Sequence, residues 1–256
     1  GDEGRAQAAT IIDALGADIA PQLLTHVNGA HGRTAAQIIC DHAALFAPSL
    51  ARAAEEHGAI LVHYGSDFVF AGLDGPDTPP YDETVSPSPQ SVYAASKLVG
   101  EWLALEAPRA YVLRVESLFG LPAAWKGRRG SLDTIVAGLE AGREIPVFTD
   151  RIVSPSYVVD IAAATRYLVE AGAPFGLYHC VNSGHGTWYE VATEAAALLG
   201  VGARLKPITT TEVRFAAARP RFCALSNRKL ASAGFEMPAW QDALRRWLAA
   251  RGQPAA

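Results

Sequence analysis

SVYAASKLVGEWLALEAPRAYVLRVESLF, residues 91–119, decides how this chain is read. Ser91 opens a helix that runs through SVYAASKLVGEWLALEA, and AYVLRVESLF follows it as one strand. A helix that hands over to a strand is one period of an α/β chain, and the periods continue on both sides. Upstream, AILVHY (59–64) reads as a buried strand, preceded by a helix over about 42–57 that ends at Gly58, a C-cap residue. Further upstream, Leu23–Val27 reads as a short buried strand. Residues 5–18 read as an Ala-rich helix with Ile11, Ile12 and Leu15 at helical spacing.

Downstream come helices at 131–141 and 158–171, the strand GLYHCV (176–181) and the helix WYEVATEAAALLG (188–200). A last helix from Pro238 carries Trp240, Leu244, Trp247 and Leu248 on one face, a stripe for docking. Strands alternating with helices mean βαβ units and a mostly parallel sheet. The stretch AGLDGPDTPPYDETVSPSPQ (71–90) interrupts the pattern. Loops longer than about 15 residues in a compact domain are usually functional.

The composition narrows the class. Half the residues are apolar and 19% are charged, so a packed core is expected. A net charge of −4 with scattered Lys and Arg argues against a nucleic-acid surface. No apolar run approaches the roughly 20 residues that span a bilayer, and no signal peptide is visible. The three cysteines, Cys40, Cys180 and Cys223, stand in no metal-like spacing, which points to a reduced, cytoplasmic protein.

Two features carry chemistry. Tyr93 and Lys97 are four apart on a helix and so share a face, in a chain with only four lysines. A fixed positive charge beside a phenol favours phenolate, which makes Tyr93 a proton donor usable near neutral pH. Lys97 also has donors for a ribose hydroxyl. The second feature is Ser66, read as standing just past the end of the AILVHY strand, where open α/β sheets bind ligands. A hydroxyl there holds a substrate carbonyl oxygen while Tyr93 protonates it. Alone, each feature is ordinary: a half-exposed helix face and a turn serine. Together they point to catalysis.

GSDFVFAG (65–72) followed by PPYDETVSPSPQSVYAASKLVGE (79–101) resembles the extended short-chain dehydrogenase/reductases, most closely the dTDP-4-dehydrorhamnose reductase family. LRVESLFG (113–120), SPSYVVDIA (154–162), GLYHCVNSGHGTWYEVA (176–192) and residues 218–248 extend the resemblance over roughly 43–250. It implies Ser66, Tyr93 and Lys97 as the catalytic set, with Lys97 lowering the pKa of Tyr93. Tyr93 and Lys97 would also meet the cofactor, NADPH or NADH. Ser66, Asp67 and Phe68 would line the substrate site, and Arg219 would meet the substrate's phosphates. Trp188 matches a family aromatic but, opening an amphipathic helix, reads as core. Some members use Mg²⁺ to assemble dimers, so Mg²⁺ and a homodimer are open. No carboxylate cluster is visible in the sequence, and no metal ligand is assigned.

The chain departs from the family in places. Ser66 stands where the family usually has Thr, and Phe68 where it has Tyr. Phe222 and Cys223 replace residues that are usually polar. The front of the fold departs most. In LLTHVNGAHGRTAAQII (23–39), Gly29 and Gly32 suggest a phosphate-cradling turn, but its first glycine position falls on His26. Gly32 also stands only about 34 residues before Ser66, and one βαβ unit takes around 30. The glycines are therefore not read as a phosphate loop, and the first strands of the nucleotide-binding half are unaccounted for. Either the sequence is an N-terminally shortened piece or the protein has shed that half.

The expected architecture is a Rossmann-like, doubly wound parallel sheet lacking its N-terminal strands, with a smaller α/β C-terminal substrate lobe. Residues 1–118 and 151–182 would form the cofactor domain, and 119–150 and 183–256 the substrate lobe. The resemblance implies an NAD(P)H-dependent reductase of a 4-keto-6-deoxy sugar nucleotide. The alternative is a non-catalytic sugar-nucleotide-binding or regulatory protein on the same scaffold; the regulatory subunit of methionine adenosyltransferase is similar to this family. An epimerase or dehydratase would share the Ser/Tyr/Lys set, but dehydratases place an acidic pair beside it, where the sequence shows Asp67 alone.

Overall fold

The computed structural model describes residues 50–73, 75, 77–120, 130–215 and 219–251. The expected helix at 5–18, the strand Leu23–Val27, the turn at Gly29 and Gly32, and Cys40 lie outside the described residues. Along the chain come α1 (residues 50–56), β1 (Leu61–Ser66), α2 (Val92–Leu105), β2 (Ala110–Val115), β3 (Leu118–Phe119), α3 (Ser131–Glu140), β4 (Ile145–Phe148) and β5 (Ile152–Val153). Then follow β6 (Ser156–Tyr157), α4 (Val158–Glu170), β7 (Gly176–His179), β8 (Gly186–Thr187), α5 (Trp188–Leu199), β9 (Leu205–Ile208), α6 (Arg228–Ser232) and α7 (Trp240–Arg251).

The centre is a parallel sheet in the order β1-β2-β7, with helices crossing over between its strands. This is the Rossmann-like α/β class that the alternation implied. Tyr111, Leu113 and Tyr178 pack from the sheet against Ile161, Ala164 and Leu168 of α4. A second core joins α3, α5 and α7 with the short ladders β3-β6, β4-β9 and β5-β8. Trp188, Trp240, Leu244 and Trp247 are buried in it and Leu248 packs at its edge, which gives the docking stripe its partner.

Local signals set the helix ends. Ser91 is extended, and its Oγ accepts from the Ala94 amide, which fixes where α2 begins. Thr187 and Glu190 form a reciprocal capping box at the start of α5, and Gly200 closes that helix at φ 66°. α2 is then tied to the sheet by Glu101, which Arg114 of β2 grips with Nε and Nη2. Gly65 makes room for the pair: a Cβ there would lie 2.1 Å from Glu101 Oε1.

The structure corrects three sequence expectations. β1 runs two residues later than expected, because it pairs with Ala110–Val115 in register, so Ser66 is its last residue rather than just past its end. β1 is also only half-buried, with Tyr64 41% exposed. The single strand expected over 110–119 breaks in two at Glu116 and Ser117, where Ser117 turns to φ 42°, outside strand geometry. The long loop at 71–90 is anchored: Tyr81 packs with Phe70 and Phe222, and Ser88 N donates to Val69 O at 2.7 Å.

Candidate active site

Ser66 of β1 and Val115 of β2 are paired in register. Parallel neighbours advance together, so the next residues, Asp67 and Glu116, leave the sheet side by side at its carboxyl edge. Ser66 Oγ donates to Asp67 Oδ1 at 3.0 Å and accepts from Phe68 N, which caps the short turn Asp67–Val69. The Ser117 turn leaves Glu116 buried. Its Oε1 accepts from Ser117 Oγ at 3.2 Å and its Oε2 from the Ser154 amide.

Cys223 arrives from far along the chain. Phe222 N donates to Gly72 O, and Cys223 N to Ile152 O at 3.0 Å, which lays this segment across the strand ends. The acidic oxygens of Asp67 and Glu116 and the Cys223 sulfur lie within 4.8 Å of one another, all buried. Burial drives the pKa of all three upward, and Arg151 opposes the rise in each. The absence of a carboxylate cluster in the linear sequence is thus corrected by the fold. A thiol and two carboxyl groups already engaged by hydroxyl and amide donors are a poor cage for Mg²⁺, which demands octahedral oxygen ligation and keeps its waters.

Tyr93 stands in the first turn of α2, 55% exposed, its ring edge-on to Phe68 at 5.9 Å. Partial burial raises its pKa, the nearby Ser66 hydroxyl pulls it down, and the Asp67 charge adds to the rise. Lys97, one turn on, sends its ammonium to the Tyr64 carbonyl at 2.6 Å. Its own pKa is lowered by burial and held up by Glu101. The expected depression of the Tyr93 pKa by Lys97 therefore gives way to a net rise. Arg219 places its guanidinium 5.4 Å over the Phe68 ring, so it joins the site through that residue. Ser66, Asp67, Phe68, Tyr93 and Arg219 come together; Lys97 lies alongside, held to the strand backbone.

A cavity of about 270 Å³ opens among α3, β4 and α5, walled by Ile135, Ile145, Phe148 and Trp188, with Arg151 as its cation and Ser131 and Thr134 as hydroxyls. Flat apolar walls with one guanidinium suit a ring that carries an anionic group. Trp188 is buried core, as expected, and also lines this space. Sequence reasoning missed Arg151, Phe148 and Glu116. The signal for Glu116 was a carboxylate directly after an apolar strand, and only the pairing of β1 with β2 sets it beside Asp67.

A family model described as RmlD substrate binding domain matches residues 25–252. The chain belongs to that family. It is 35% identical over 209 residues to a dTDP-4-dehydrorhamnose reductase of Mycobacterium tuberculosis, covering 78% of this chain and 66% of that protein. It is 33% identical over 195 residues to the spore coat polysaccharide biosynthesis protein SpsK of Bacillus subtilis, covering 76% of this chain and 65% of that protein. A crystal structure of dTDP-4-dehydrorhamnose reductase from Bacillus anthracis in complex with NADP superposes with a TM-score of 0.70 at 32% identity. That match covers 79% of this chain and 70% of the other. The chain thus spans about two thirds of the length of these RmlD-family relatives. Among the described residues, no helix is long and apolar enough to cross a membrane.

Proposed function

We propose that this chain carries the proton-donating and substrate-holding side of an NAD(P)H-dependent reductase that acts on the 4-keto group of a 6-deoxy sugar nucleotide. The observation that carries the reading is the convergence of Ser66 and the half-exposed Tyr93 on Phe68 at the carboxyl edge of a parallel sheet, Ser66 Oγ accepting from Phe68 N and the Tyr93 ring standing edge-on to the Phe68 ring. The names of the Mycobacterium and Bacillus anthracis relatives support it, and so does the NADP held by the latter.

The residues present fit the nicotinamide-ribose end of such a coenzyme. Lys97 spends one of its three donors on the Tyr64 carbonyl and keeps two for ribose hydroxyls, beside an open phenol. Gly29 and Gly32, which are not read as a phosphate loop, lie outside the described residues. When bound, the coenzyme supplies the hydride. Ser66 holds the substrate carbonyl oxygen, and Tyr93 gives its proton to that oxygen as charge develops there. The nucleotide enters the cavity between Phe148 and Trp188, with Arg151 on a phosphate. Arg219, over the Phe68 ring, meets the substrate's phosphates from that side. We assign residues 119–150 and 183–256 to this substrate lobe. The free thiols of Cys180 and Cys223 favour a cytoplasmic setting.

A second reading, binding of a sugar nucleotide without turnover, draws on the engagement of Lys97 by the Tyr64 carbonyl. Calorimetric titration of the 256-residue chain with NADPH and NADH, with Lys97→Ala as control, separates the two. Micromolar binding that the variant loses supports the reductase. No binding at millimolar coenzyme supports the non-catalytic reading.

A further inference from the structure

Three acidic groups, the carboxyls of Asp67 and Glu116 and the thiol of Cys223, share one buried space. Charges taken out of water are costly unless paired, so like-charged carboxylates in contact share protons instead. Among the described residues, the cation that opposes both carboxyls is Arg151, set before β5 and partly engaged by the Pro220 carbonyl. One positive charge does not balance two carboxylates, so the pair keeps a proton.

The arrangement of these groups gives that proton a route. Asp67 Oδ1 is 3.0 Å from Ser66 Oγ, and Ser66 and the Tyr93 ring meet at Phe68, close enough for the hydroxyl to lower the pKa of the phenol. Glu116 closes the far end of the line, fixed by Ser117 Oγ and the Ser154 amide. The backbone accepts a positive φ at Ser117 at the point where the expected strand breaks, and backbone held in such a region marks a place where the surroundings dictate the geometry.

We infer that Asp67 and Glu116 form a carboxyl pair that stores one proton and returns it through Ser66 to Tyr93 after each reduction. This rests on the reductase reading. The atoms balance. The Tyr93 O–H bond breaks as its proton bonds the substrate oxygen, leaving phenolate. The Ser66 Oγ–H proton moves to the phenolate, and the carboxyl proton of the pair moves to Ser66. The pair is left with both carboxylates ionised until a proton from bulk water restores it. No electron pair leaves the chain and no further reagent is needed. Asp67 and Glu116 are buried behind Ser66, and in this role they act through Ser66 and set the supply of protons. The groups that face the pair are Ser66 on β1, Tyr93 on α2, Ser117 after β2, Arg151 and Ser154 around β5, and Cys223 above.

Two measurements on the full chain test this. Infrared spectroscopy at neutral pH is expected to show the carbonyl stretch of a protonated carboxyl group that Glu116→Gln removes. Turnover of a dTDP-4-keto-6-deoxy sugar with NADPH is expected to fall roughly tenfold in kcat with KM unchanged, because bulk water then reprotonates Tyr93 more slowly. Its alkaline limb should shift to lower pH, and Glu116→Asp should restore part of the rate. Asp67→Asn breaks the line at its other end and should show the same shift if Glu116→Gln does not fold. A Glu116→Gln or Asp67→Asn enzyme with the wild-type pH profile overturns the relay alone. A wild type without the carboxyl band overturns the stored proton. A wild type that shows the band but never turns over overturns the reductase reading, and the relay with it.

Discussion

Arg114 on β2 donates to both carboxylate oxygens of Glu101 on α2, at 2.8, 3.0 and 3.2 Å, with both side chains nearly inaccessible to water. The helix that carries Tyr93 and Lys97 is therefore bolted to the strand whose end carries Glu116. Breaking one side of a buried pair leaves an unpaired charge that costs about 3–5 kcal/mol. Arg114→Met is expected to destabilise the fold on that scale in urea unfolding. The double variant Arg114→Met/Glu101→Leu should recover a large part of the loss. Equal losses in the single and double variants would show that the ion pair contributes nothing beyond the volume it fills.

Tyr93→Phe removes only a hydroxyl from a half-exposed ring. Under the proposed function it should lower kcat by roughly 10²-fold or more, the usual contribution of a positioned acid. The thermal midpoint should stay where it was. Undiminished turnover would remove Tyr93 from the mechanism.

Gly120 stands at φ +88°, and a Cβ there would come within 2.3 Å of the Tyr157 ring, which stacks on Phe119. Gly120→Ala meets both a backbone penalty and a clash with a buried aromatic. It should destabilise the chain by about 2–4 kcal/mol. A loss below about 0.5 kcal/mol, the level of ordinary surface changes, would show that Tyr157 shifts freely.

Buried histidines set an acid limit. Burial, and then Arg114, pushes the His179 pKa down to about 3, while burial and then Lys97 takes His63 to about 4. Both rings are neutral in the fold and charge on unfolding near 6.5. The unfolded chain then binds more protons, so their contribution is complete above about 6.5 and is lost as pH falls toward 3. Denaturant midpoints should drop through that window. His179→Asn, whose amide nitrogen stands where Nδ1 meets the Tyr81 carbonyl, should flatten the drop, and an unchanged slope would acquit His179.

The carboxyl pair pulls the other way. Asp67 and Glu116 have raised pKa values in the fold because burial disfavours their charge. Their contribution is full below the ordinary carboxylate range and is lost as pH rises through the raised values. Glu116→Gln, which keeps the shape without the charge, should therefore gain stability over wild type at alkaline pH and not at pH 4. The opposite trend would mean that Glu116 is ionised in the fold.

Local pattern determined much of this protein. The alternation of apolar strands with helices, the Ser91 cap, the Gly58 stop and the Trp240–Leu248 stripe each depend on neighbours a few residues away, and all were legible. So was the nearness of Ser66 to Tyr93, which meet at Phe68, because a strand end and the next helix start are joined by a single connection. The motifs around them also carried the family.

Tertiary structure alone decided the rest. Whether β1 ends at Tyr64 or Ser66 depends on its register with β2, a long-range choice that no local pattern encodes. That same register sets Glu116 beside Asp67, and the crossing segment brings in Cys223 from the far end of the chain. Lys97 was placed on the right face of α2, but its ammonium goes to the Tyr64 carbonyl, because sharing a helix face fixes position and leaves the choice of partner to whatever packs opposite. A sequence states which groups a protein owns; the pairing of distant strands, made to bury apolar surface and satisfy the backbone, chose which of them lie side by side.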